Sequence, residues 1–209
     1  MKLITERTKH LKMKKGEFLY NEGDTEQALY IVFKGQIKVY KLMENGKEQL
    51  LRILKPGDFT GEWALFDQQG THEDFAENLT DVEICMLHQK DMQALLTDYP
   101  TISLSLLSEM SKRLQTSQRQ TSRVMLPQIG ERLALYLLDL LDESETNSLL
   151  VQLAMSRRYL ASYLGTTPES ISRQFKKLEE LGFIEQRQTT TLKIIDQAGL
   201  RWYTEENKE

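Results

Sequence analysis

From Gly16 to about Leu87, apolar and polar residues alternate with a period of two, in short runs punctuated by glycine. Leu29, Ile31 and Phe33 share one face of the run Ala28–Phe33, and Ile37 and Val39 share one face of Gln36–Leu42. Such alternation predicts half-buried strands. Gly16, Gly23, Gly35, Gly46, Gly57 and Gly61 fall where the chain must reverse, since glycine tolerates positive φ. Between two strand-like runs lies Glu44-Asn45-Gly46-Lys47, whose Asn-Gly pair predicts a hairpin. Short strands at near-regular spacing predict an all-β sandwich or small barrel.

The period then becomes helical. After Gln89–Thr97 and a break at Pro100 come Leu104, Leu107, Ser111, Leu114, Gln118, Thr121 and Met125, spaced alternately by 3 and 4. That is a heptad seam. One reading lays this helix on its own β domain. The regular seam, with no glycine or proline across 101–126, favours a parallel pair from two subunits, its polar positions setting register. Pro127 ends or kinks the helix and makes Met125–Pro127 the expected hinge. Ile129, Leu133, Tyr136, Leu137, Leu140 and Leu141 recur at helical spacing as a packing face, and 142–148 reads as a solvated polar loop.

Residues 156–196 are the most informative. Ser156 is placed to cap a helix containing Tyr159, Leu160, Ala161, Tyr163 and Leu164, which Gly165 stops. Thr167 is the next cap and Pro168 stands at N1, where its missing N–H costs nothing. The second helix turns Ile171, Phe175 and Leu178 inward and ends at Gly182. Two helices joined by a tight turn predict a helix-turn-helix. Phe183–Arg187 and Leu192–Asp196 then read as a two-stranded wing.

Charge refines this picture. The chain of 209 residues carries a formal net charge of −4. Residues 100–126 hold 4 basic side chains against 1 acidic, and 151–195 hold 7 against 4. Phosphate attraction depends on the face presented, so the acidic whole does not forbid nucleic-acid binding. The longest apolar run, Leu133 to Leu138, is far short of a membrane span of roughly 20 residues. The lysine-rich start has no apolar stretch behind it and is no signal peptide, so a cytoplasmic protein is expected. A single cysteine, Cys85, permits no intramolecular disulfide and cannot alone hold zinc or an iron–sulfur cluster. It reads as a buried, inert strand thiol. GxxxxGK[ST], HExxH and GxSxG are all absent, so no enzyme is expected.

On the second helix Glu169, Ser170, Ser172, Arg173, Lys176 and Lys177 lie opposite the apolar stripe. A solvated helix face is one reading. The other is base recognition: arginine bonds guanine O6 and N7 together, glutamate accepts from cytosine N4, and serine contacts either base type. Residues near a recognition helix's N-terminus reach base edges first, which favours Glu169, Ser172 and Arg173, with Lys176 and Lys177 better placed for phosphates.

Over roughly 10–197 the chain resembles the CRP/FNR superfamily of bacterial transcription regulators. The resemblance lies in Gly16-Glu17-Phe18 through Gly35-Gln36-Ile37-Lys38-Val39, in Pro56-Gly57-Asp58-Phe59 with Gly61-Glu62, in the Leu104–Met125 helix and in 156–196. It implies an α+β chain with three parts. These are an N-terminal effector-type β-roll (1–99), a long dimerisation helix (100–126) and a C-terminal winged helix-turn-helix (127–209). Glu169-Ser170-Ile171-Ser172-Arg173 matches the FNR-type pattern Glu-x-x-Ser-Arg, which implies reading of a TTGAT-type half-site by Glu169, Ser172 and Arg173. Double-stranded DNA, a second copy of the chain and RNA polymerase are the implied partners.

The resemblance also implies an effector pocket. Cyclic-nucleotide binders of the family use a Gly-Glu pair and an Arg followed by Ser or Thr at the phosphate. Gly61 and Glu62 stand, as pocket residues or as a structural turn, but the pattern places His72 and Glu73 at the clamp. A neutral imidazole for a bidentate cation, followed by a carboxylate, disfavours cAMP. Haem ligation through His72 has thin evidence, one histidine of three beside His10 and His88, so no cofactor is assigned. The alternative function is a small-molecule-sensing β-roll that docks on proteins, its helix-turn-helix merely structural.

Overall fold

The computed structural model describes residues 8–66, 70–126, 128–142 and 149–204. The chain divides into two compact units, Met1–Lys112 and Arg113–Glu209. The expected boundaries at 99/100 and 126/127 differ from this division, which falls inside the long helix.

Unit 1 is built from two four-stranded antiparallel sheets. One has the order β1 (Lys9–Met13), β8 (Val82–His88), β3 (Ala28–Lys34), β6 (Phe59–Thr60). The other runs β2 (Phe18–Tyr20), β7 (Phe75–Asn78), β4 (Ile37–Leu42), β5 (Glu48–Leu54). Between them lies a core containing Tyr20, Tyr30, Val32, Ile37, Val39, Leu54, Ala76 and Ile84. The Asn-Gly turn behaves as expected: β4 and β5 pair across 43–47, Gly46 has φ 75°, and the Asn45 side-chain oxygen accepts from the Lys47 N–H at 3.0 Å.

One strand face departs from the expectation. On β3 it is Ala28, Tyr30 and Val32 that face the core between the sheets. Leu29 and Ile31 pack on the other side with Leu65 of α1 (Glu62–Phe66), Met92 and Leu95 of α2 (Gln89–Asp98), and Leu106. Phe33 is exposed, beside an irregularity in the β3–β8 pairing between Val32 and Lys34. A strand covered on both faces is apolar at both parities, so alternation alone does not tell inside from outside.

The helix α3 (Pro100–Val124) crosses the boundary between the units. Its seam is open: Leu104, Leu107, Leu114 and Met125 are 66%, 63%, 62% and 79% exposed, and Ser111, Gln118 and Thr121 are exposed too. Within unit 1, Leu104, Leu107 and Ser111 of the seam are exposed, and it is Leu106, off the seam, that packs with Leu29, Leu65, Leu87, Met92 and Leu95. Pro127 and most of the expected polar loop, 143–148, lie outside the described residues. No helix among the described residues is long and apolar enough to cross a membrane.

Unit 2 contains α4 (Ile129–Asp142), β9 (Leu150–Gln152), α5 (Arg157–Tyr163), α6 (Pro168–Glu180), β10 (Ile184–Gln186), β11 (Thr191–Ile194) and α7 (Gln197–Tyr203). The wing has three strands, not two, in the order β10-β11-β9, with Leu192 opposite Val151. Leu133, Leu137, Leu160, Leu164, Ile171, Phe175, Leu178 and Leu200 are fully buried at its centre.

Candidate DNA-binding and effector sites

Local chemistry sets the helix-turn-helix. Ser156 caps α5 by accepting the Tyr159 N–H, and Thr167 caps α6 by accepting the Ser170 N–H, with Pro168 at the helix start. Ile171, Phe175 and Leu178 are buried, so the other face of α6 is presented outward. There Glu169, Ser172, Arg173, Lys176 and Lys177 are exposed and Ser170 is half-buried.

The outward side chains are partly organised. Arg173 Nη2 donates to Ser170 Oγ at 3.3 Å, and Thr167 Oγ1 donates to the same oxygen at 3.2 Å. Ser172 Oγ donates to the Pro168 carbonyl at 2.9 Å. The carboxyl of Glu169 titrates below its ordinary value, held chiefly by its own backbone N–H, then by the Thr167 hydroxyl and the charge of Arg173. Lys176 reaches Glu180 at 3.6 Å, and Lys177 lies 5.4 Å from the Tyr203 ring centre. Glu179 of α6 accepts the Gln186 backbone N–H at 2.8 Å and its Nε2 at 2.7 Å, which fastens β10 to α6. Arg157 donates to Gln186 Oε1 and covers the Phe175 ring at 4.5 Å. No local pattern announces this latch: Glu179 meets Gln186 across the turn at Gly182, and Arg157 lies 29 residues before Gln186.

The effector-pocket candidates separate. Gly61 has φ 91°, and a Cβ there would stand 2.2 Å from the Ala28 carbonyl oxygen, so the position requires glycine. Glu62 is buried and pairs with Arg52 at 2.9 Å; Arg52 also donates to Thr60 Oγ1 at 3.1 Å. Thr60 Oγ1 in turn bonds the Tyr20 hydroxyl at 2.6 Å. His72 is buried, stacked on Tyr20 with ring centres 3.7 Å apart, and its Nε2 lies 3.1 Å from the Glu26 carbonyl oxygen. Glu73 does not join them: it is exposed and pairs with Lys41 at 3.1 Å. Side chains alternate along an extended segment, and here the inward carboxylate is the buried Asp74. Tyr20, Arg52 and Asp74 are absent from the sequence-based expectation. Cys85 is half-buried, not buried, because it faces away from the core that holds Ile84 and Met86. No group of three or more His, Cys, Asp or Glu among the described residues could hold a metal.

The chain has counterparts among known proteins. Residues 10–99 match the cyclic nucleotide-binding domain family, and 131–203 match the Crp-like helix-turn-helix domain family. The "probable transcriptional regulator flp" of Lacticaseibacillus casei is 36% identical over 197 residues, covering 93% of this chain and 88% of that protein. The chain belongs to the CRP/FNR family of transcription regulators. The nitrogen fixation regulation protein FixK of Rhizobium meliloti is 29% identical, over 90% of this chain and 83% of that one. In fold, a CooA mutant from Carboxydothermus hydrogenoformans superposes with a TM-score of 0.84 at 20% identity, over 98% of this chain and 90% of that chain.

A cyclic nucleotide, which the first family's description implies, does not fit the inner face of this CRP/FNR regulator. Arg52 is the cation there, and it is bound to Glu62 and Thr60. Asp74 adds a second inward carboxylate. A guanidinium whose Nη2 is already held by one carboxylate and a hydroxyl, with a second carboxylate turned the same way, is a poor clamp for a phosphodiester. Burial raises the Asp74 carboxyl above its ordinary value, although Arg52 opposes the shift.

A pH dependence of β-roll stability is expected from His72. Burial lowers its pKa from 6.5, although the Glu26 carbonyl and the Asp74, Asp24 and Glu26 charges oppose the shift. The unfolded chain therefore binds the imidazole proton more readily than the folded one, and stability falls as pH drops below 6.5. Asp74 acts oppositely, since its raised pKa destabilises the fold as pH climbs above the ordinary carboxylate range. Urea unfolding of unit 1 at pH 7.5, 6.5 and 5.5 is expected to show the His72 loss, and His72→Gln is expected to flatten it. An equal slope in both proteins removes His72 as the source.

Proposed function

We propose that this regulator works as a homodimer that reads an inverted TTGAT-like repeat with one α6 in each of two major grooves. Glu169, Ser172 and Arg173 contact base edges, Ser170 supports Arg173, and Lys176 and Lys177 serve phosphates. The observation that carries the reading is the division of α6, with Ile171, Phe175 and Leu178 buried and Glu169, Ser172 and Arg173 exposed on its N-terminal half. That is the geometry by which a recognition helix presents its first turns to a groove. The open α3 seam supports the dimer. The protein is no enzyme; it acts in the cytoplasm, with DNA and RNA polymerase as partners. Any effector it answers to is other than cAMP, and an iron–sulfur cluster is disfavoured by the single cysteine.

The test is fluorescence anisotropy of the full chain without added ligand, on the inverted repeat and on scrambled DNA, across a salt series. The repeat is expected to bind at least about a thousandfold more tightly than scrambled DNA. Adding cAMP is expected to change neither curve. Equal affinity for both DNAs sinks the base-reading assignment, and a cAMP-dependent gain sinks the pocket argument.

A further inference from the structure

Arg132, near the start of α4, makes two hydrogen bonds that join distant points of unit 2. Its Nε donates to the Leu126 carbonyl at 2.8 Å, and its Nη1 donates to the Leu164 carbonyl at 3.0 Å. Leu126 lies just past the end of α3, and Leu164 is the C-cap of α5, immediately before the bend at Gly165. One guanidinium thus ties the exit of the seam helix to the turn of the helix-turn-helix. Its donors form a rigid planar fork, so the two carbonyls are held in a fixed mutual direction. An ammonium on a flexible stem has no such fork.

The neighbouring contacts run the same way. Arg123 of α3 ion-pairs with Asp139 of α4, and Gln120 Nε2 donates to the Tyr163 carbonyl at 3.4 Å. The Leu126 N–H donates to the Arg123 carbonyl at 2.9 Å. The described side of the expected hinge is therefore bonded down rather than loose. Leu114, Gln118, Thr121 and Met125, the second half of the seam, belong to the same unit as α6. Arg132 itself is only half-buried, whereas Leu160, Ile171, Phe175 and Leu178 are fully buried.

In a two-fold dimer, the direction from seam to recognition helix sets the distance between half-sites. We infer that Arg132 is the positioning residue that fixes half-site spacing, by locking the helix-turn-helix to the end of the seam. The inference rests on the proposed dimeric reading of an inverted repeat. An arm freed to swivel still reads each half-site, but it accepts spacers of different lengths.

The experiment uses the full chain with Arg132→Met, which keeps an unbranched stem and removes both bonds, and Arg132→Lys, which keeps the charge. Binding is measured on inverted repeats whose spacer varies by single base pairs, and on repeats with altered half-site sequence. The unaltered chain is expected to prefer one spacer over its neighbours by about tenfold, and both variants by about twofold or less. The penalty for altered half-site sequence is expected to stay unchanged in both. A uniform loss of affinity with spacer preference intact overturns the inference, as does full recovery of that preference in Arg132→Lys. Thermal melting checks that each variant folds; where Arg132→Met does not, Arg132→Lys decides. An unaltered chain that binds the repeat specifically without a preferred spacer overturns this inference alone. Failure to prefer the repeat over scrambled DNA overturns the base-reading proposal as well.

Discussion

Arg173→Ala is expected to abolish most of the preference for the inverted repeat while leaving binding to scrambled DNA nearly intact. Arg173 projects from the exposed side of α6, two turns or less from its start, with Nη2 resting on Ser170 Oγ at 3.3 Å. That weak contact leaves the guanidinium's other donors available for the O6 and N7 acceptors of a guanine. A bidentate pair of this kind contributes ~1–3 kcal/mol of discrimination against the wrong base. A dimer makes it twice, at sites far enough apart to add, so the loss is roughly 2–6 kcal/mol. On the binding curve that is a fall of roughly thirtyfold to twenty-thousandfold. Lys176→Ala is the control. Its ammonium is exposed and only loosely tied to Glu180. Its removal is therefore expected to weaken all sequences alike and to lower the salt slope by about one for each phosphate left without its lysine. Equal losses for Arg173→Ala on specific and scrambled DNA would remove Arg173 from the base-reading set.

The features legible in the sequence are those decided within a few residues. Ser156, Thr167 and Pro168 mark helix starts because a cap needs only a side-chain oxygen and nearby N–H groups. Asn45-Gly46 marks its hairpin for the same reason. The seam from Leu104 to Met125 is legible as a repeat, and its residues are exposed in the single chain.

What escapes a sequence reading depends on contacts between distant residues. Arg52 meets Glu62 through the fold of the β-roll, and no local pattern announces it. Counting along the family motif reaches His72, which the structure buries. It then assigns the next position, Glu73, where alternation turns the chain outward to Lys41 and brings Asp74 in. Phe33 follows the parity of Leu29 and Ile31 but sits at a pairing irregularity between Val32 and Lys34, outside the cluster that covers them. Strand β9 has three residues, too few for a period to show, and Asp196, the end of the wing by local pattern, is also the cap of α7. In each case the missing information is register or long-range packing, which a single sequence does not carry.

Leu107→Asp is expected to convert the protein to a monomer in sedimentation and, with it, to remove high-affinity binding to the repeat. In the single chain Leu107 is 63% exposed, so the substitution should leave the fold of each unit within about 0.5 kcal/mol, as exposed changes usually do. In a parallel pair the same residue faces its own copy across the seam. Each leucine removed forfeits about 1.5–3 kcal/mol of burial, twice over by symmetry, and the two aspartates then repel each other in a water-poor contact. The first half of the seam offers Leu104 and Leu107 as its apolar anchors; beyond Ser111, polar Gln118 and Thr121 interrupt the stripe. That asymmetry weights association toward Leu104, Leu107 and Leu114, so one charge at Leu107 should suffice. With the dimer gone, the two half-sites are bound independently and the gain from holding both at once disappears, commonly a factor of a hundred or more. Retention of the dimer in Leu107→Asp, with repeat binding unchanged, would place the subunit contact elsewhere and leave the exposed seam to a different partner. A monomeric variant with intact thermal melting but weak, unspecific binding would join the open face of α3 to the recognition chemistry of α6 in one assembly.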